Sequence, residues 1–213
     1  MRDSIVSEDW IKAVYRQNPS CTLAKGGSKG KDGTSNQLIR LPPGRIAFPM
    51  VGKDSSGYKQ YSVSVLFDRR ANLDLLHERI LSFYERWPEY YNRNTKQWDG
   101  LIYPIRDQKD RENYPGFTPG NLYVNAASIY PPSVRNIDGK WVNRDISRKQ
   151  TVYPGVWAVV VVKPASFSYD NNPTPARGVT LYLSGIAVVG DDEQLVMSGA
   201  STLLSDIVLP EEK

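Results

Sequence analysis

"VWAVVVVKPASFSYDNNPTPARGVTLYLSGIAVVG", residues 156–190, decides the fold class. Two largely apolar, β-branched runs flank "NNPTPARG", whose asparagines, prolines and glycine turn the chain. The pattern predicts a long strand, a turn and a returning strand. Pro164 has no N–H to give a ladder, so it predicts a bend, an edge or a bulge inside the first run.

The same signature recurs upstream. In "YKQYSVSVLF" (58–67), Tyr61, Val63, Val65 and Phe67 alternate with Ser62, Ser64 and Leu66, the period of a half-buried strand. "LYVNAAS" (122–128) alternates too, and "VRNIDGKWV" (134–142) carries Asp138-Gly139, a hairpin signal that favours positive backbone angles. Between them "NLDLLHERILSFYERW" (72–87) changes period. Leu73, Leu76, Ile80, Phe83 and Trp87 share one helical face, with Asn72 placed to cap it and Pro88 to stop it. Asp191-Asp192 then turn the chain before "EQLVMSG". The sum is a mainly β domain of about six or seven strands, with one substantial α-helix inserted after the second or third. No repeat of roughly 20–50 residues is present, which excludes solenoids and propellers. A small barrel, closed or partly open, is the way to hide the edges of such strands.

The 213 residues suffice for one sizeable domain with extensions. "AKGGSKGKDGTSNQ" (24–37) has no apolar periodicity and reads as a flexible linker, whose Lys25, Lys29 and Lys31 suit solvation and phosphate contact equally. The expected layout is an N-terminal extension and linker over 1–37, the main domain over 38–205 and a short tail over 206–213. No apolar run approaches the roughly 18 residues of a membrane span, and "MRDSIVSEDWIKAVY" lacks the layout of a secretory signal. Cys21 is alone, which excludes an internal disulfide and a cysteine zinc cluster and points to a reducing, intracellular compartment.

Charge is unevenly placed. Of 27 basic and 23 acidic residues, six acids and one lysine lie in 191–213, a net of −5; the first 190 residues carry a net of +9. A basic body suits a polyanion. The acidic end suits a tail competing for the same groove, although Asp191, Asp192 and Glu193 equally suit a solvated turn.

Catalytic patterns are missing. Asp107, Asp110 and Glu112 match no metal loop, and Arg106, Lys109 and Arg111 alternate with them as on a solvated surface. His77, the only histidine, cannot build a histidine metal site or a relay triad by itself. "GGSKGKDG" has the glycines of a phosphate loop but follows no strand. The reading is a binding protein with no catalytic residues, metal or cofactor.

Aromatic rings beside cations point to unpaired nucleic acid. Tyr103 precedes Arg106 and Lys109; Tyr114 and Phe117 follow Arg111; Tyr130 precedes Arg135. Trp141 follows Lys140, and Tyr153 follows Arg148 and Lys149. Exposed rings accept bases by stacking and the cations neutralise phosphates, a grip that does not read sequence. Tyr61, Phe67, Phe83 and Trp87 lie on the apolar period of their elements and belong to the core, Trp157 is ambiguous, and Tyr114, Phe117 and Trp141 stand in or beside turns as the stacking candidates.

The succession "RIAFPMV", "YSVSVLFD", an inserted helix, "YPIRDQKD…NYPGF", "LYVNAAS…PPSV", "VYPGVWAVVVVKPASFSYD" and "GVTLYLSGIAVVGDDEQL" resembles a family of phage single-stranded-DNA-binding proteins, roughly over residues 40–200. The resemblance implies an OB-fold-like five-stranded barrel with extra strands. It also implies sequence-tolerant binding of single-stranded DNA in phage replication or recombination, in the cytoplasm of the infected bacterial host. By position it places Arg106 and Asp107, and Tyr153 at a second point, near the groove. An acidic tail is where replication or recombination proteins would dock, but "SDIVLPEEK" is only weakly acidic. The rival readings are a β-rich phage structural or assembly protein without nucleic-acid affinity and, behind it, a metal-dependent nuclease.

Overall fold

The computed structural model describes residues 6–24, 37–52, 61–169 and 176–195. Among them helix α1 spans Glu8–Gln17, followed by β1 (Thr22–Leu23), β2 (Ile39–Arg40), β3 (Gly44–Met50) and β4 (Tyr61–Leu66). Helix α2 (Asp74–Tyr84), a ribbon of β5 (Tyr91–Asn92) with β6 (Gln97–Trp98), and β7 (Ile105–Asp107) come next. Then follow β8 (Leu122–Ser128), β9 (Ser133–Arg135), β10 (Trp141–Val142), helix α3 (Asp145–Thr151), β11 (Trp157–Tyr169) and β12 (Ala176–Gly190).

Five strands close a ring in the order β3–β4–β8–β12–β11 and back to β3. Every pair is antiparallel except β8–β12, which touch in parallel through Ala127 and Tyr182. Counted along the chain, the ring runs first, second, third, fifth, fourth, the arrangement of an OB barrel. The expected mainly β, OB-like barrel with extra strands and an inserted helix is therefore present, and α2 leaves after the second barrel strand. Closure depends on Gly44, which pairs with Ala158. A Cβ there would stand 2.6 Å from a Val65 methyl and 2.9 Å from the Leu66 carbonyl, so a larger residue would push β3 off β4.

The two paired strands read from 156–190 are present, β11 and β12 pairing from Trp157–Gly190 to Tyr169–Ala176, while the turn read between them falls on 170–175, outside the described residues. Pro164 faces Leu181 of β12 beyond the last contact of β11 with β2, so its missing N–H falls on an edge. In β4 Tyr61, Val63, Val65 and Phe67 enter the core as the alternation predicts, but the strand is not half-buried: on its other face Ser64 and Leu66 are buried too, Leu66 in a second cluster with Ala47, Phe117 and Tyr123. Helix α2 adds Leu76, Ile80 and Phe83 to that core as its periodicity predicts, and Trp87 packs at its border. The N-cap of α2 is Leu73, which makes no side-chain cap bond, and not Asn72 as predicted; Asn72, one residue earlier, accepts the Asp74 N–H through Oδ1.

Two helices went unread. Helix α1 is capped by Ser7 Oγ and docks through Trp10, edge-on to Trp157, and buried Tyr15, whose hydroxyl donates to the Pro43 carbonyl. Helix α3 is too short to show a period. The hairpin read at Asp138-Gly139 joins β9 to β10, but Gly139 alone takes a positive φ, and its N–H reaches the Asn136 carbonyl, giving a type I turn closed by a left-handed glycine. The linker over 25–36 and the segment 196–213 lie outside the described residues.

Candidate nucleic-acid interface

The outer face of β3, β4 and β8 is built in cross-strand rows. Register aligns Arg45, Leu66, Tyr123 and Arg106 in one row, and Ala47, Ser64 and Asn125 in the next. Met50, Ser62, Ala127 and Tyr182 form a third. The middle of this face is small and polar; Ser64 Oγ donates to Asn125 Oδ1 at 2.6 Å. Large flat side chains stand at its borders.

Phe48 is one of them, and a break in register puts it there. Alternation would send it inward after Ile46, but the β3–β4 pairing jumps from Ala47–Ser64 to Met50–Ser62, so Phe48 and Pro49 together oppose Val63. This is a bulge, with Phe48 at φ +48°, and it turns the ring outward, leaving it 38% exposed. A non-glycine residue in that region stores strain of roughly 1–3 kcal/mol, a cost that recurs at functional sites. Sequence reasoning missed Phe48; Pro49 inside a strand was the available signal.

The charged loop after β7 folds down onto the same face. Two side chains from "RDQ" hold it. Gln108, only 1% exposed, donates from Nε2 to the carbonyls of Phe67 and Leu122 and accepts the Thr118 N–H. Asp107 Oδ1 accepts the N–H groups of Lys109 and Gly120, which hold its carboxyl below the usual carboxylate range. "YPGF" then makes a type II turn, with Pro115 second, Gly116 third at φ +84°, and the Phe117 N–H on the Tyr114 carbonyl. The turn sets the rings of Tyr114 and Phe117 side by side, 6.4 Å apart.

The result is a chain of four rings rising from the core. Tyr123 and Phe117 meet edge-on at 5.3 Å, Phe117 and Phe48 lie 6.0 Å apart, and Phe48 meets Tyr114 edge-on at 5.3 Å. Exposure climbs along it: 1%, 7%, 38% and 41%. The Arg111 guanidinium sits 5.7 Å from the Phe48 centroid and 5.4 Å from that of Tyr123. A rigid, half-exposed apolar rim with a cation beside it can hold a flat, negatively charged ligand at little ordering cost.

The other candidate residues are dispersed. Arg106 and Lys109 are exposed beside this loop. Tyr103 is half-buried against helix α2, edge-on to Tyr84 and sharing a hydrogen bond with His77 Nδ1, and burial pushes its phenol up to about 12. Phe117 lies beneath the rim. Arg135 and Trp141 face each other across the β9–β10 hairpin with the guanidinium 4.0 Å over the indole, and Lys140 and Tyr130 are exposed nearby in sequence. The hairpin joins the barrel through β9, which runs parallel to Gly185–Ala187 of β12 beyond Tyr182. Arg148 and Lys149 occupy the last turn of α3, and Tyr153, packed at the core border, donates to the Asp192 carbonyl.

The carboxylates take structural parts. Asp192 Oδ2 accepts from Trp157 Nε1 at 2.9 Å and lies 3.5 Å from Arg45, so this member of the acidic trio clasps the barrel. Among the described residues, no three His, Cys, Asp or Glu side chains are grouped to hold a metal ion.

No family model matches the chain, and no curated protein matches its sequence. Solved structures do. The single-stranded DNA-binding protein from bacteriophage Enc34, in its C-terminally truncated form, matches with a TM-score of 0.55 at 18% identity over 82% of this chain and 97% of that one. The same protein in complex with single-stranded DNA matches with a TM-score of 0.53, again at 18% identity, over 82% of this chain and 98% of its own. At such identity the likeness establishes a common fold.

Proposed function

We propose that this chain is a single-stranded-DNA-binding protein that grips the strand without reading most of its sequence and catalyses no reaction. The observation that carries this is the half-exposed pair Phe48 and Tyr114 with Arg111 beside it, raised on buried Phe117 and Tyr123 at the border of the outer β3–β4–β8 face. OB barrels bind oligonucleotides on the face of their second and third strands, here β4 and β8. Bases stack on the rings; Arg106, Lys109 and Arg111 neutralise phosphates. The fold shared with phage proteins that bind single-stranded DNA supports a role in phage replication and recombination, within the host cytoplasm. In that role the C-terminal tail, weakly acidic as it is, is the place for protein partners. Among the described residues, no helix is long and apolar enough to cross a membrane.

The test is a titration of intrinsic tryptophan fluorescence with an unstructured oligonucleotide and with duplex, across salt. Single strands should bind, with log affinity falling linearly with log salt at a slope of about −0.7 per phosphate contact, and duplex should compete poorly. Equal affinity for duplex, or no affinity for either, overturns the reading.

A further inference from the structure

The parallel contact of β8 with β12 lasts for a single pair, Ala127 with Tyr182, and toward the start of β12 the two strands part. Residues 102–107 bridge the gap. Ile102 donates its N–H to the Arg177 carbonyl and accepts that of Val179, while Ile105–Asp107 pair with β8. Between these attachments a cleft of about 200 Å³ stays open on the outer face, walled by Arg106, Asn125, Phe167, Thr180 and the backbone on either side of Thr180. Val179 and Leu181 bury their side chains in the core, so what they present to the cleft is main chain. The Val179 N–H goes to Ile102 and the next pairing is at Tyr182. The Val179 carbonyl and the Leu181 amide therefore face the cleft with no strand opposite.

The chemistry of these walls is specific. Asn125 Oδ1 is occupied by Ser64, so the amide offers the cleft its Nδ2 donors. Arg106 adds a guanidinium, the Val179 carbonyl adds one acceptor, and Phe167 adds a flat wall. The volume is below the roughly 300 Å³ of the smallest usual ligand pockets and suits one ring system.

Resting on the strand-binding reading, we propose that this cleft receives one unstacked nucleobase and selects thymine over cytosine. Thymine turns a carbonyl toward the Nδ2 donors of Asn125 and its ring N–H toward the Val179 carbonyl, with Arg106 at the cleft wall left for the adjoining phosphate. Cytosine carries an amino group where thymine carries that carbonyl, so donor would meet donor. The preference is confined to one position of the bound strand, which keeps the protein tolerant elsewhere.

The experiment compares oligothymidylate and oligocytidylate of about sixteen nucleotides, near neutral pH, for the full chain, Asn125→Asp and Thr180→Phe. Asn125→Asp keeps the bond from Ser64 and the shape but turns the donor into an acceptor; Thr180→Phe fills the cleft. The wild type should favour oligothymidylate by about tenfold, Asn125→Asp should lose or invert that preference, and Thr180→Phe should level it while still binding both. In addition, 5-iodouracil in the oligothymidylate should photocrosslink to Phe167 in the wild type and not in Thr180→Phe. Binding without base preference and without a Phe167 adduct overturns the pocket and leaves the strand-binding reading standing. A preference that both variants retain also overturns it. Absence of all single-strand binding by the wild type overturns both.

Discussion

Replacing Phe48 with alanine separates the two tasks of the aromatic rim. The ring touches Tyr114 and Phe117 and lies under Arg111, yet 38% of the residue stays exposed. Ring pairs contribute roughly 0.5–1.5 kcal/mol beyond burial and an exposed cation–π contact about 0.5–1. Losing them should destabilise the fold by about 2 kcal/mol, less than the roughly 3–5 expected for a fully buried phenylalanine. If one base stacks on the ring, affinity for an oligonucleotide should fall by about 1–3 kcal/mol, between fivefold and about 150-fold. Tyr114 loses its edge-on partner as well, which pushes the loss toward the upper end. Fluorescence titration at fixed salt, beside a urea transition confirming the fold, measures both effects. Phe48→Trp keeps a flat face and should hold affinity within about threefold. A folded Phe48→Ala protein that binds as the wild type does would refute the assignment of the rim.

Phe117→Ala removes the buried support of the rim and should cost about 3–5 kcal/mol in urea denaturation; a stability within 1 kcal/mol or so of the wild type would show that the rim stands without it. Arg106→Gln combined with Arg111→Gln should flatten the salt slope by about 1.4, or 0.7 for each lost phosphate contact, and an unaltered slope would take both off the strand. Asp107 has a folded pKa lowered by two backbone N–H groups, so its contribution is present above the unfolded value and is lost as pH falls through the folded one. Wild type and Asp107→Asn should therefore differ in stability near neutrality and converge in acid; a difference independent of pH would mean that the carboxylate charge is not what holds the loop.

Most of the barrel was legible in the linear chain because strand and helix periods are local. Tyr61, Val63, Val65 and Phe67 announce an inward face by alternation alone, and Leu76, Ile80 and Phe83 announce a helical one. The run from Val156 to Gly190 announces two paired strands, because a β-branched stretch interrupted by Asn and Pro has few other ways to fold. The proximity of rings and cations was also readable, since Tyr114, Phe117 and Arg111 are neighbours in sequence.

Where each ring stands was decided only by tertiary structure. Tyr114 and Phe117 look equivalent in "NYPGF", yet one is at the surface and the other beneath it, because Gln108 anchors the loop to carbonyls of β8 and of the residue after β4. Phe48 reads as an ordinary inward strand residue until the bulge with Pro49 turns it out. The cleft beside Asn125 exists because β8 and β12, 55 residues apart at Ala127 and Tyr182, meet at one pair and then diverge. Local patterns record which face of an element avoids water. Where two elements from distant parts of the chain meet, and where they part, depends on packing across the whole barrel.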